Sequence, residues 1–175
     1  MICGAGEPSA GCDPVGTTVS TCSMRRCVKE TLQLYRDLVT RMKKENDRKP
    51  KVERNNSVFK TSAMVLKRQG KWINSMKRLG DVPGIEVGDR FYSRAEMNVV
   101  GLHCRFDDGI DYLDYDGFLA TSIVESGRYG NFVSRDVFVY CGYGGNPSVS
   151  RTKPGDQKLE RGNLALKNSM TRGTP

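Results

Sequence analysis

The fold of this chain is decided by residues 81–112, which read DVPGIEVGDRFYSRAEMNVVGLHCRFDDGIDY. The stretch begins in the turn from Gly80 to Gly84. After this turn the residue pattern becomes typical of β-strands. A short apolar run between turn residues, Arg94 to His103, predicts the first of three short strands, and Leu119 to Ser126 and Val137 to Cys141 predict the others. No helix-length pattern lies between them. We therefore expect a compact β-barrel-like sheet rather than alternating βαβ units.

Helices are predicted on both sides of this sheet. From Arg25 to Glu45, apolar residues recur at helical spacing, with lysine and arginine on the other face. Residues Val58 to Lys67 predict a second, shorter helix. Near the carboxyl end, Asp156 is placed to cap a third short helix. The apolar residues of that helix are Leu159, Leu166 and Met170.

Composition divides the chain into three parts. Residues 1–23 are rich in Gly, Ser, Thr, Pro and Cys without periodicity, which predicts a disordered leader. Residues 24–79 are predicted to be a basic helical lead-in, because residues 25–80 carry 17 bases against 5 acids. Residues 80–175 are predicted to be the sheet domain. The basic excess draws a chain toward polyanions, nucleic acid first, although a solvated lysine-rich helix explains it equally well.

Membrane, export and metal-binding functions have no support in the sequence. No run approaches the roughly 18 to 20 apolar residues of a membrane span. Residues 1–27 lack the basic start and apolar stretch of a secretory signal. The six cysteines are not at chelating spacing and His103 is the sole histidine, so we expect no metal, no cofactor and free thiols in a reducing compartment.

Catalytic motifs are also unsupported. The glycine-rich segment from Gly142 to Asn146 lacks the lysine and the strand-to-helix context of a phosphate-binding loop. Nucleophilic catalysis usually needs a histidine as general base, and His103 stands alone in a predicted strand, so it is predicted to be a core or surface histidine. The acids from Asp107 to Asp116 lack the loop glycine and the terminal glutamate of an EF-hand. These patterns favour a binding module over an enzyme.

Eight blocks of the sequence resemble, in the same order, those of SRA domains, also called SET- and RING-associated or YDG domains. They are VPGIEVGD (82–89), RAEM (94–97), VGLH (100–103), GIDY (109–112), ATSIVESG (120–127), DVFVY (136–140), GYGGN (142–146) and DQKLERGNLAL (156–166). Met97 and the GIDY block are similar to the plant SUVH-type branch, in which the domain precedes the pre-SET and SET domains of histone H3 lysine-9 methyltransferases. The resemblance implies an α+β fold, an SRA/PUA-like β-barrel with amino-terminal amphipathic helices.

The same resemblance implies that the domain binds double-stranded, methylcytosine-containing DNA and swings the 5-methylcytosine out of the base stack. Extrusion of a base costs a few kcal/mol. Tyr129 and Tyr140 match the two aromatic residues that sandwich the flipped base, and stacking contributes about 1 to 3 kcal/mol per base. A core tyrosine is the alternative for each position. A nuclear, chromosomal location and chromatin proteins as further partners are implied as well.

Two positions in the implied base pocket depart from the family pattern. Family members usually follow the first aromatic residue with acids, one of which accepts a hydrogen bond from the cytosine amino group. Here Asn131 supplies an amide oxygen instead, which accepts such a bond more weakly than a carboxylate. Cys141 stands where a threonine is common, and backbone contacts at that position survive the change.

A third departure lies in the loop that the resemblance implies enters the gap left by the flipped base. It consists of Arg105, Phe106, Asp107 and Asp108. The two carboxylates would repel DNA phosphates unless they are neutralised. Arg105 and Phe106 are therefore alternative candidates for the residue that fills the gap.

The chain ends at residues 171–175, where related domains continue into further strands that end in a Tyr-Asp-Gly signature. Residues 115–117 share those letters but lie in a different place. We therefore expect a truncated domain whose last barrel strands are missing. Two alternatives stay open. The chain is a non-catalytic fragment of a histone-lysine N-methyltransferase, or it is a degenerate SRA domain that serves only protein interaction.

Overall fold

The computed structural model describes residues 21–53, 57–114, 117–125, 132–134, 137–140, 142 and 156–174. The helices within them are α1 (Thr21–Asp47), α2 (Val58–Arg68), α3 (Arg94–Val99) and α4 (Arg161–Arg172), and a 3-10 turn (Lys51–Glu53) precedes α2. The strands are β1 (Ile110–Leu113), β2 (Leu119–Ile123), β3 (Phe132–Ser134) and β4 (Val137–Phe138). None of the helices in these ranges has both the length and the apolar character that a membrane crossing requires. The predicted leader falls mostly outside the described residues.

Helices α1 and α2 confirm the two helices predicted at Arg25–Glu45 and Val58–Lys67. They pack against each other and against α3, so that all three bury one face in common. We call this set the first core cluster. Its buried members are Val28, Leu32, Tyr35, Leu38, Val39, Ala63, Leu66, Ala95, Val99 and Val100. Because a helix gains most of its stability from its buried face, α1 and α2 depend on the segment that carries α3.

The strand predicted from Arg94 to His103 is wrong, because its first six residues form helix α3. The hydroxyl oxygen of Ser93 accepts a hydrogen bond from the backbone N–H of Glu96 at 3.3 Å, which caps the first turn. The buried carboxylate of Glu96 accepts hydrogen bonds from Nε and Nη2 of Arg36 in α1, at 2.8 and 3.1 Å. The cap and this pair favour a helix over the strand that the apolar run predicts.

The strands form two antiparallel pairs, β1 with β2 and β3 with β4. In the first pair, Ile110 lies opposite Ile123 and Leu113 lies opposite Leu119. Strands β2 and β4 confirm the predicted strands in part, whereas β1 and β3 were not predicted. The α+β fold class is confirmed, and over the described residues the two small sheets do not close into a barrel.

Helix α4 covers the sheet of β1 and β2 and differs in two ways from the helix predicted there. It begins at Arg161 with Glu160 at the N-cap position, so Asp156 lies before it and does not cap it. Its buried face consists of small or polar residues: Gly162, Asn163, Ala165 and Ser169. The predicted apolar residues Leu159 and Met170 are 60% and 83% exposed. Of the predicted apolar set, Leu166 does pack inward.

Small residues let α4 approach the sheet closely. The hydroxyl oxygen of Ser169 accepts a hydrogen bond from the backbone N–H of Ala120 in β2 at 3.0 Å. Residues of α4, β1 and β2 form a second core cluster, and partly buried apolar residues pack against it. The buried members are Ile110, Tyr112, Ala120 and Ala165, and the partly buried ones are Phe118, Tyr140 and Leu166.

The turn at Gly84 joins α1 to the rest of the fold and supports a stability prediction. Gly84 has φ +81°, and a Cβ there would lie 2.6 Å from the carbonyl oxygen of Met24. We expect Gly84→Ala to lower the free energy of unfolding by about 3 kcal/mol, through left-handed backbone strain and this overlap.

Gly80 offers a matched control for that variant. Its φ is +78°, yet no atom lies within 4 Å of a Cβ built there. Gly80→Ala should therefore lose only the backbone strain, about 1 to 2 kcal/mol. Urea unfolding of the two variants measures the difference. Equal losses would show that the contact between Gly84 and α1 contributes nothing.

Candidate nucleic-acid interface

The loop from Arg105 to Asp108, here called the insertion loop, leads from α3 to β1. Its two carboxylates are both paired with cations. Oδ2 of Asp107 lies 2.7 Å from Nζ of Lys60 in α2, and Oδ2 of Asp108 lies 3.1 Å from Nη1 of Arg105. The repulsion of phosphates anticipated from the sequence is therefore offset by charges within the protein.

The two candidates for filling the gap left by a flipped base are held against the protein. Phe106 is partly buried and packs against the first core cluster, and its carbonyl oxygen accepts a hydrogen bond from Nη1 of Arg94 at 3.2 Å. The guanidinium of Arg105 lies 4.2 Å from the ring centroid of Tyr112. The side chain of Asp107 is 81% exposed, against 45% for Asp108 and 30% for Arg105. Asp107 therefore projects furthest toward solvent among the charged residues of the loop.

A buried charge network lies directly behind the insertion loop, centred on Asp111 in β1. Its carboxylate is 1% exposed and accepts hydrogen bonds from Nζ of Lys77 and from the backbone N–H of Cys104, both at 2.6 Å. Nε of Arg105 is buried 3.5 Å from Oδ1 without forming a hydrogen bond. Burial by itself raises the pKa of Asp111, but the hydrogen bonds from Lys77 and Cys104 outweigh it and lower the pKa.

His103 fixes the far end of the insertion loop to the sheet. It is fully buried, with Nε2 2.9 Å from the carbonyl oxygen of Asp108 and Nδ1 2.8 Å from the hydroxyl of Ser122. Burial lowers the pKa of His103, so the ring is neutral at pH 7. Because a carbonyl only accepts, Nε2 donates and Nδ1 accepts from Ser122. Of the two predicted alternatives, a core or a surface histidine, the structure shows the core one, and residue 103 lies outside the helices and strands.

Of the two cysteines whose side chains the structure describes, Cys104 lies beside this network and Cys27 lies in α1. Burial raises the pKa of Cys104 to about 11, which keeps the thiol protonated at neutral pH. Cys27 and Cys104 are both outside disulfides. Over the described ranges, no group of His, Cys, Asp and Glu is arranged to hold a metal ion.

Tyr140 is the one pocket residue predicted from the resemblance whose position the structure describes. It is partly buried on the second core cluster. A Cβ at Gly109 would overlap the Tyr140 hydroxyl, so the end of this side chain lies against Gly109, directly after the insertion loop. The structure therefore brings Tyr140 to the end of the insertion loop. Tyr129, Asn131 and Cys141 lie outside the described residues.

A cleft of about 520 Å³ lies between the insertion loop and the start of α4. One side consists of Arg105, Asp108 and Tyr112, and the other of Asp156, Lys158, Glu160, Arg161 and Asn163. A Cβ at Gly142 would overlap the side-chain oxygen of Asn163, so Gly142 lies beside this wall of the cleft. The volume falls within the range of about 300 to 1,000 Å³ that small-molecule sites occupy.

Most of the interface residues that the sequence did not identify act by pairing with side chains that are distant in the sequence. Lys60, Lys77 and Ser122 were not singled out, and the only individual role considered for Asp111 was that of a calcium ligand. A signal for Asp111 was present, because a carboxylate between apolar strand residues needs a buried partner. No comparable signal identifies Lys60 as the partner of Asp107, 47 residues away.

Comparison with known proteins shows relatives along most of the chain. Histone-lysine N-methyltransferase, H3 lysine-9 specific SUVH6 of Arabidopsis thaliana is 41% identical over 166 residues, which cover 87% of this chain and 21% of that protein. The chain thus spans about a fifth of the length of this curated relative. The Arabidopsis thaliana YDG domain-containing protein At5g47160 is 41% identical over 162 residues, covering 86% of this chain and 38% of that protein.

A crystal structure of KRYPTONITE, in complex with mCHH DNA, an H3(1-15) peptide and SAH, shares the fold. It has a TM-score of 0.74 at 31% identity, over 87% of this chain and 33% of that one. The SUVH5 SRA bound to fully hydroxymethylated CG DNA has a TM-score of 0.51 at 48% identity, over 56% of this chain and 67% of that one. The SAD/SRA domain family itself matches residues 78–175. The match covers more than half of the sequence, and this chain belongs to the SAD/SRA domain family.

Proposed function

We propose that this chain binds double-stranded DNA and prefers duplexes that contain 5-methylcytosine. The observation that carries the proposal is the family membership of residues 78–175, joined to the complexes of KRYPTONITE with mCHH DNA and of the SUVH5 SRA with hydroxymethylated CG DNA. The methyltransferase activity in the names of the longer relatives is not assigned to this stretch. The chain acts as a reader in the nucleus, on chromatin.

Recognition proceeds by eversion of the methylated base. The base leaves the stack and lies between the rings of Tyr129 and Tyr140, whose stacking offsets the few kcal/mol that unpairing and unstacking cost. The contact of Tyr140 with Gly109 supports a stacking role for Tyr140, because it places the ring at the end of the insertion loop. Asn131 accepts a hydrogen bond from the cytosine amino group, and the backbone at Cys141 contacts the base edge.

The insertion loop enters the duplex where the base has left. Its pairing with Lys60 and Arg105 supports this role, because a loop with two unpaired carboxylates would be repelled by the phosphates. Asp107 is the most exposed of its charged side chains and is the first to meet the DNA. Phe106 and Arg105 remain packed on the protein and brace the loop from behind.

A paired titration tests the proposed function. Two duplexes of one sequence, one with 5-methylcytosine and one unmodified, are titrated with the 175-residue chain. We expect the methylated duplex to bind at least about tenfold more tightly. Contacts in the pocket offset the free-energy cost of base extrusion more fully for 5-methylcytosine than for unmodified cytosine. Equal affinity with a steep salt dependence would indicate phosphate contacts alone. Binding to neither duplex would favour a protein-interaction role.

A further inference from the structure

Lys60 links the helical lead-in to the part of the interface that faces DNA. It lies in α2, before the residues 78–175 that the SAD/SRA family matches. Its ammonium is 2.7 Å from Oδ2 of Asp107 and 5.4 Å from the ring centroid of Phe106. One side chain outside the matched region thus touches two consecutive residues of the insertion loop.

This contact contributes little to the stability of the fold. The side chains of Lys60 and Asp107 are 47% and 81% exposed, and ion pairs at such sites are strongly screened by water. Their effect is instead local charge. An exposed carboxylate at the tip of a loop that approaches phosphates weakens binding, and a lysine fixed beside it cancels that repulsion.

We propose that Lys60 is a positioning residue for DNA binding, which neutralises Asp107 and holds the insertion loop in place for the duplex. The proposal rests on the proposed function, because it assumes that this loop meets DNA. It extends the DNA-reading unit beyond residues 78–175 to include α2. The competing role for Lys60 is a direct contact with a phosphate, which would not depend on Asp107.

A double-mutant cycle separates the two roles. Lys60→Ala, Asp107→Asn and the double variant are prepared in the full chain and titrated with the methylated duplex. We expect Lys60→Ala to weaken binding about fivefold, because it exposes the Asp107 charge to the phosphates. In the Asp107→Asn background, the same lysine replacement should change the affinity by less than about twofold, because no charge is left to neutralise. An unchanged fivefold loss in that background would overturn the proposal in favour of a direct phosphate contact.

Three controls make the cycle specific. Lys60→Arg keeps the charge and should bind within about twofold of the wild-type chain. Lys43→Ala removes an equal charge from α1, where the ammonium lies 4.4 Å from the ring centroid of Phe59, and should also stay within about twofold. Thermal unfolding of Lys60→Ala should match that of the wild-type chain. A fivefold loss in Lys43→Ala would contradict a role specific to Lys60.

The cycle also distinguishes failure of this inference from failure of the proposed function. If the wild-type chain binds both duplexes equally, the methylation preference is wrong, and the cycle on the unmodified duplex still decides the role of Lys60. If it prefers the methylated duplex but Lys60→Ala has no effect, only the inference fails. If it binds neither duplex, both are contradicted.

Discussion

Replacing Asp111 with alanine is expected to lower the free energy of unfolding by about 3 kcal/mol. The reason is that the groups bonded to its carboxylate would stay in the protein interior without a hydrogen-bond acceptor. The ammonium of Lys77 would lose its carboxylate, and the backbone N–H of Cys104 would lose its acceptor. Domains are stable by only about 5 to 15 kcal/mol, so this loss is large. Urea unfolding followed by fluorescence of Trp72, the sole tryptophan, measures it.

Asp107→Ala is the matched control, since Asp107 also pairs with a lysine but is 81% exposed. Its loss should stay within about 0.5 kcal/mol. Acid supplies a second check on Asp111. Because its folded pKa is lowered from 3.8, its stabilisation is fully present above that value and is lost as the pH falls through the folded pKa. Equal losses in the two alanine variants at pH 7 would refute the role given to the buried network.

Tyr129→Ala is expected to abolish the preference for methylated DNA. Loss of one stacking ring removes about 1 to 3 kcal/mol, which weakens binding to the methylated duplex by about 5- to 150-fold. Binding to the unmodified duplex depends on phosphate contacts and should change by less than about twofold. The paired titration on this variant measures both effects.

Tyr140 and Tyr92 supply the controls for that variant. Tyr140→Phe keeps the ring that packs on the second core cluster, so most of the methylation preference should remain. Tyr92→Ala removes a ring that is 77% exposed and should leave both affinities unchanged. If Tyr129→Ala retained the full preference, Tyr129 would have no part in recognising the base.

The long helices were predictable from the sequence because a buried face leaves a periodic trace. In α1, residues such as Val28, Leu32 and Tyr35 mark the face that packs on α2 and α3. Helix α3 was not predictable in this way, because its apolar residues run on through Val99 and Val100 like those of a strand. The capping bond of Ser93 and the pair of Glu96 with Arg36 decide its structure.

Helix α4 and the insertion loop show a second limit. The buried face of α4 is made of small and polar residues, so hydrophobicity points to the wrong side of the helix. The insertion loop and Tyr140 were identified through the family resemblance. Lys60 was not identified, because its pairing with Asp107 exists only once α2 has packed beside α3.

The central claim, that a methylated base leaves the stack, is tested most directly by fluorescence from within the DNA. A duplex carries 2-aminopurine, a fluorescent adenine analogue quenched by stacking, next to the 5-methylcytosine. We predict that its fluorescence rises when the wild-type chain saturates the methylated duplex, and that Tyr129→Ala at saturation gives no such rise. Tight binding of the methylated duplex with unchanged fluorescence would contradict base eversion.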